Sequence, residues 1–266
     1  MNAVHLLMRN PAPLRTLTVD SLGVRIHANG DDLADDAAAA ARQCLIDALA
    51  AKGGASMILA AANSQIATLK ALVAMDGIDW TKVTMFHMDE YLGISGDHPA
   101  SFRRFLRERV DHKVKPARFH YITGDCEEPL AECERYGELL SAQTIDLCLL
   151  GIGENGHIAF NDPPVANFSD PHPVKLVRLD EACRRQQVGE GHFPDLSTVP
   201  QYAITLSVPS LCAASRMICV VPERRKAVAV RDTLRGPIET KCPATVLRRQ
   251  SHCTLFLDAE SGSLVG

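Results

Sequence analysis

The chain has 266 residues, 46% of them hydrophobic and 23% charged, with a formal net charge of −4. That length can hold one large domain or two small ones, and the mild acidity gives no electrostatic footprint for nucleic acid or an anionic membrane. The stretch Met1 to Arg15 has two charges among short apolar pairs and does not read as a signal peptide, and no run approaches the ~18 apolar residues of a membrane span. The nine cysteines are odd in number, scattered and without a CxxC pair, which predicts buried reduced thiols and a cytoplasmic location.

In chain order, strand-like and helix-like segments alternate. Leu33 to Lys52 is alanine-rich and reads as a helix stopped by Gly53 and Gly54. Ala55 to Ala61 predicts a buried strand, and Ser64 to Met75 a helix after a short turn. Val83 to Met88 predicts a second strand ending at Asp89 and Glu90, and Ser101 to Val110 a helix announced by Pro99 and Ser101. Ile145 to Leu150 is an almost continuous apolar strand running into Gly151-Ile152-Gly153. Strands apolar on both faces suit a parallel sheet covered by helices. Between Pro163 and Pro200 lies a polar segment rich in Pro, Asp, Arg and Gln, read as a lid excursion near 164–200 rather than core. Tyr202 to Val208 and Arg216 to Val221 predict strands, Arg224 to Arg235 a helix stopped by Gly236 and Pro237, and Cys253 to Asp258 a last strand. With no repeat or linker in view, the expected fold is one α/β domain over 1–266: a doubly wound, mostly parallel, Rossmann-like sheet flanked by helices.

In such sheets ligands sit beyond the carboxyl ends of the strands. Three predicted strand ends carry polar clusters: Ala60 to Gln65, His87 to Tyr91, and Gly151 to His157. The spacing Gly151-x-Gly153-x-x-Gly156 formally fits a dinucleotide loop. However, His157 and Asn161-Asp162-Pro163 follow where that loop needs a helix, so no nucleotide cofactor is expected. His157 beside Asn155 and Asp162 reads as a proton-transfer group oriented by its neighbours, or as a histidine capping a turn. The other histidines, such as His87, His112 and His192, form no HxxxH or HxH pattern, so no metal is expected.

The stretch Phe86 to Gly93 (FHMDEYLG) followed by His98 to Ser101, together with Gly151 to Pro163 (GIGENGHIAFNDP), closely resembles the glucosamine-6-phosphate deaminase/isomerase family, which is related to the 6-phosphogluconolactonases. Val199 to Thr205, Lys226 to Val230 and Cys242 to Thr245 extend the likeness, which spans roughly residues 30 to 258. The resemblance implies isomerisation of glucosamine-6-phosphate coupled to loss of ammonia, giving fructose-6-phosphate without a cofactor. It places Asp89 as the base that removes the C2 proton and His157 as the group that opens the pyranose ring, with Asn155 and Asp162 orienting that histidine. Asn63, Ser64, Glu90, Gly153, Gly156 and Lys226 fall at substrate-binding positions, although packing and hydrogen bonding at the strand end is an equal reading for Glu90 and Tyr91.

Several residues depart from the family's pattern. Asn155 can fix an imidazole only by a neutral hydrogen bond, and Asp162 is one methylene shorter than the usual Glu. The family's Gly- and Thr-rich phosphate turn is replaced by Ala61 to Gln65, where Ser64 alone keeps a hydroxyl, and its lid arginine falls at Gln187 with Arg184 and Arg185 close by as substitutes. One alternative is therefore a lactonase or isomerase acting on a related sugar or an unphosphorylated amino sugar. Another is a non-catalytic sugar-phosphate sensor, for whose usual DNA-binding helix-turn-helix the roughly 30 residues before the core leave little room. The expected partner is a small-molecule sugar phosphate, with neither nucleic acid nor membrane, and self-association into a homo-oligomer is left open. The short chain after Asp258 argues against allosteric control through a C-terminal tail.

Overall fold

The protein is described by a computed structural model covering residues 11–266; Met1 to Asn10, on which the reading of the N-terminus partly rests, lie outside the described residues. Two strands that the sequence pattern did not single out come first, β1 (Arg15–Val19) and β2 (Leu22–His27). Helix α1 (Gly30–Lys52) starts earlier than expected because Asn29 caps it, its side chain accepting from Asp32 N at 2.9 Å while Asp31 and Asp32 face the positive end of the helix dipole. It ends at Gly53, whose φ of 75° is a left-handed stop. Then follow β3 (Ala55–Leu59), a 3-10 turn (Asn63–Gln65) leading into α2 (Ile66–Ala74), β4 (Val83–His87) and β5 (Asp89–Tyr91). Helix α3 (Phe102–Leu106) is capped by Ser101 as expected and runs through a wide turn at Arg107–Asp111 into α4 (His112–Val114).

The chain continues through β6 (Arg118–His120), α5 (Pro129–Ser141), β7 (Leu147–Leu150), β8 (Val174–Arg178) and α6 (Glu181–Gly189). It closes with β9 (Tyr202–Leu206), α7 (Val208–Cys212), β10 (Arg216–Val221), α8 (Ala227–Arg235) and β11 (Cys253–Asp258). Eight strands form the main sheet in the order β1-β2-β11-β10-β7-β3-β4-β6, every pair parallel except β1 with β2. Successive side chains point to opposite faces, which explains the two separate cores. Met57, Leu59, Leu147, Leu149, Ile218 and Val220 pack with α1, α2 and α3 on one face. Ile58, Cys148, Leu150, Cys219 and Val221 pack with α5, α7 and α8 on the other. The fold is the expected mostly parallel, helix-flanked α/β sheet. No helix among the described residues is long and apolar enough to cross a membrane.

Two further features differ from the sequence reading. The Asp89–Tyr91 segment does not end β4; the chain steps out of the main sheet at Met88, and β5 pairs antiparallel with β9 (Asp89 opposite Thr205) in a second sheet ordered β5-β9-β8. Strand β9 looked like a main-sheet strand because Ala203, Ile204 and Leu206 are all buried, and burial on both faces does not reveal the partner strand. The 164–200 excursion does leave the main sheet, but it carries β8 and α6 rather than loop alone.

The step from β5 to α3 is held by Glu90. Its Oε1 accepts from the backbone N–H of Tyr91 (2.9 Å) and Phe102 (3.2 Å), and its Oε2 from Ser101 Oγ (2.8 Å) and the Arg103 N–H (2.9 Å). Burial raises the Glu90 carboxyl, while these four donors oppose the rise. Glu90→Ala should cost about 3 kcal/mol of stability or more, since it leaves those donors buried without an acceptor. Urea unfolding of the variant checks this, and a change under about 0.5 kcal/mol would remove Glu90 from this role.

Candidate active site

Strands β3 and β7 are neighbours, but the chain leaves them in opposite directions: through α2 to β4 on one side, and through the second sheet to β10 on the other. This is the topological switch point, where a crevice opens at the carboxyl ends. A pocket lies there. Its wall collects Ala60 to Ala62 and Ser64 from beyond β3, Met88 and Asp89 from beyond β4, Gly151 to Gly153 and His157 from beyond β7, and Lys226 from beyond β10. Phe102, Ala159, Phe160 and the excursion residues Gln186, Gln187, Glu190 and His192 complete it. Asp89 and His157 thus face one space although 68 positions separate them in the chain (157 − 89).

The loop after β7 is built around the imidazole. A Cβ on Gly153 would overlap the His157 ring, so only glycine lets the backbone pass there. Gly156 adopts φ 82° and packs against Cys242 behind the loop; it shapes the turn and does not line the pocket. Asn161 Nδ2 donates to Ile158 O (3.1 Å) and Leu206 O (2.8 Å), tying the loop to β9. His157 Nδ1 lies 2.7 Å from Asn155 Oδ1 and 3.0 Å from Asp162 Oδ1. The Asn155 amide is fixed in orientation because its Nδ2 donates to Asp162 Oδ1 (3.0 Å) and Asp180 Oδ2 (3.4 Å). Asp162 Oδ2 accepts the Asp180 N–H at 3.0 Å. Burial would raise the Asp162 carboxyl, but the imidazole, the Asn155 amide and the Asp180 N–H outweigh it and hold the group below the ordinary carboxylate range. Two acceptors around Nδ1 require a proton on that nitrogen, which leaves the Nε2 lone pair free for a ligand. The shorter reach of Asp162 is no obstacle, since its oxygen lies at hydrogen-bond distance.

Asp89 is in the opposite condition. Its carboxyl is pushed well up, first by burial and then by the nearby Glu90 and Asp162 carboxylates, and the Phe160 N–H, which also donates to Thr205 Oγ1 (3.1 Å), opposes this only in part. A raised carboxylate pKa makes a stronger base, provided the group can still ionise. Glu90 itself is fully buried and does not line the pocket, so its expected substrate contact is replaced by the clamping role described above.

At the far end, Gln65 is fully buried and donates to Val220 O (3.2 Å) and Ser64 Oγ (3.1 Å), presenting Ser64 to the cavity. Asn63 does not line the pocket; its Nδ2 donates to Glu190 O at 3.2 Å and ties the turn to the excursion. Lys226 is buried and lines the wall. Gln187 lines it as well, its Oε1 accepting from Tyr91 Oη at 2.6 Å. Neither neighbouring arginine substitutes for it. Arg184 Nη2 staples Leu196 O (2.6 Å) and Val199 O (2.8 Å), while Arg185 pairs with Glu181 at the surface. Gln186 and Glu190 were not anticipated: no motif marks them, and only the folding of the excursion brings them to the pocket wall. The donor atoms of His157, Asp162 and Cys183 lie within 4.8 Å of one another, but burial keeps the thiol protonated, and the Nδ1 and carboxylate already face each other. That donor set is ill suited to a metal ion.

Because Asp162 fixes the tautomer, Asp162→Asn should lower kcat about a hundredfold or more with KM changed little. Steady-state kinetics checks this, and an unchanged kcat would show that the carboxylate does not act through His157.

A family model for glucosamine-6-phosphate isomerases/6-phosphogluconolactonase matches residues 28–256. Glucosamine-6-phosphate deaminase from Exiguobacterium sibiricum is 38% identical over 190 residues, covering 71% of this chain and 73% of that protein. Glucosamine-6-phosphate deaminase 1 from Bacillus subtilis is 32% identical over 224 residues, covering 82% and 90%. Among solved structures, a monomeric glucosamine-6-phosphate deaminase superposes with a TM-score of 0.84 at 29% identity, covering 91% of this chain and 99% of that one. A 6-phosphogluconolactonase from Shewanella baltica shares the fold with a TM-score of 0.75 at 21% identity, covering 91% and 98%. The chain belongs to the glucosamine-6-phosphate isomerase/6-phosphogluconolactonase family.

Proposed function

We propose that this protein is a cytoplasmic amino-sugar deaminase-isomerase, acting on glucosamine-6-phosphate or a close analogue. The observation that carries this reading is a carboxylate of raised basicity and an oriented imidazole facing one pocket at the switch point of the sheet. The deaminases among its relatives and the nine free cysteines support the activity and the reducing compartment respectively.

The groups act in sequence. The free Nε2 of His157 takes the C1 hydroxyl proton and returns it to the ring oxygen as the C1–O5 bond breaks, giving the open aldehyde. Asp89 then removes the C2 proton, the electron pair moves to form the C1–C2 double bond, and the enolate oxygen takes a proton from the substrate's own C2 ammonium to give an enolamine. Return of a proton to C1 leaves an imine at C2; water adds there, ammonia departs, and a 2-ketose remains. The reaction consumes one water per ammonia released, and no electrons leave the sugar. Asn155 and Asp162 keep Nδ1 protonated throughout, and Phe102, Phe160 and Met88 keep the wall beside Asp89 apolar. A lactone hydrolase has no need of a carbon base, so a buried carboxylate with raised basicity favours isomerisation.

Incubation with glucosamine-6-phosphate, and in parallel with free glucosamine, should release ammonia and the matching ketose in equal amounts; release from neither sugar overturns the reading. Asp89→Asn should lower kcat by about 10³-fold or more while the melting temperature stays close to wild type. For the pH profile, the base works only when ionised, so kcat/KM should rise with pH through the Asp89 pKa. Because that pKa is raised in the fold, the acid limb should inflect above the ordinary carboxylate value of about 3.9. An acid limb at or below that value contradicts the assignment of Asp89.

A further inference from the structure

The charges at the end of the pocket away from Asp89 do not suit an anion. Two oppositely charged side chains line it, Lys226 and Glu190, both almost wholly buried. Glu190 is fixed in place on every side. Its Oε1 accepts from Gln186 Nε2 at 2.7 Å and lies 3.5 Å from Arg225 Nη2, its Oε2 lies 3.4 Å from His192 Nε2, and its main-chain oxygen accepts from Asn63 Nδ2. Burial would raise this carboxyl, but His192, Lys226, Gln186 and Arg225 bring it down to about 2, so it is an anion throughout the physiological range. Arg225 is not free to serve a ligand, since it also meets Glu223 at 2.7 Å and Glu154 at 3.8 Å. Among the described residues, Lys226 makes no direct ion pair or side-chain hydrogen bond, and Glu190 is the strongest charge acting on it. Of the other polar side chains on this part of the wall, Gln186 and His192 face Glu190, which leaves Ser64 Oγ and the Gln187 amide, whose oxygen already accepts from Tyr91.

Lys226 and Glu190 sum to zero charge and offer one donor and one acceptor. A phosphate dianion brings only acceptors, so it gains from Lys226 but is repelled by Glu190 in a water-poor site. A hydroxyl brings one donor and at least one acceptor, and it matches both. We propose that this site takes 2-amino-2-deoxyhexoses with a free C6 hydroxyl in preference to their 6-phosphates, with Glu190 accepting that hydroxyl's proton in a hydrogen bond and Lys226 donating to its oxygen. The inference rests on the deaminase reading above and names the substrate class for it. Glu190 is then the specificity-determining residue.

The test compares kcat/KM for ammonia release from glucosamine and from glucosamine-6-phosphate. Wild type should favour the free sugar by about tenfold or more. In Glu190→Gln that ratio should fall by about tenfold or more, chiefly because the phosphate ester gains, with the melting temperature measured alongside. Inorganic phosphate should leave the wild-type KM for glucosamine unchanged and compete in the variant. Preference of the wild type for the ester, or competition by phosphate in the wild type, overturns this inference while the deaminase reading stands; ammonia from neither sugar overturns the deaminase reading itself. An unchanged ratio in a folded Glu190→Gln protein removes Glu190 as the determinant. Should that variant not fold, the wild-type ratio and the phosphate inhibition decide alone.

Discussion

Four carboxylates, Asp89, Glu90, Asp162 and Glu190, are held out of water around one pocket and the helix beside it, and what the rest of the site can do depends on how each is compensated. Removing a carboxylate from water is costly unless donors replace its hydration. Glu90 receives four such donors, Asp162 an imidazole, an amide and a backbone N–H, and Glu190 an amide with nearby cations. Asp89 has the fewest, one shared backbone N–H, and it alone combines strongly raised basicity with a place on the cavity wall. The uneven supply of donors sets the three well-compensated carboxylates apart from Asp89.

That supply depends on the small antiparallel sheet as much as on the large parallel one. The main sheet brings the ends of β3, β4, β7 and β10 to one rim. The second sheet then turns Asp89 inward by pairing it with Thr205, whose hydroxyl also accepts the Phe160 N–H from the histidine loop. The carboxylate and the imidazole are therefore referenced to the same strand, β9, through Thr205 on one side and the Asn161 bond to Leu206 on the other. Rigid mutual placement of this kind is what proton transfer between a base and a bound substrate requires.

Two halves of the pocket tell different stories. Around Asp89 and His157 the wall presents a carboxylate of raised basicity and an oriented imidazole. Beyond them lie a turn of alanines with Ser64, a neutral Gln187, and an ionised Glu190 beside Lys226. Asp89 and His157 come from beyond β4 and β7, whereas Gln187 and Glu190 come from the excursion at α6.

Much was legible in the amino-acid sequence. Almost continuous apolar runs at Ala55 to Ala61 and Ile145 to Leu150 announced two-sided burial, and Gly53 and Ser101 marked a helix stop and a helix start. The FHMDEYLG and GIGENGHIAFNDP blocks announced the family, because catalytic loops carry unusual residues in a short span. The strand partners of Asp89 to Tyr91 and Tyr202 to Leu206 were not legible, since local pattern records burial but not the neighbour that causes it. Nor was the clamp made by Glu90, which needs α3 to arrive end-on, or the entry of Gln186 and Glu190, which needs the excursion to reach the turn after β3. Sequence alone determined the local elements and the family blocks that carry Asp89 and His157, for these depend on neighbours within a few positions. Tertiary structure decided which charges share one low-dielectric space, because Coulomb interactions follow distance through space and not separation along the chain.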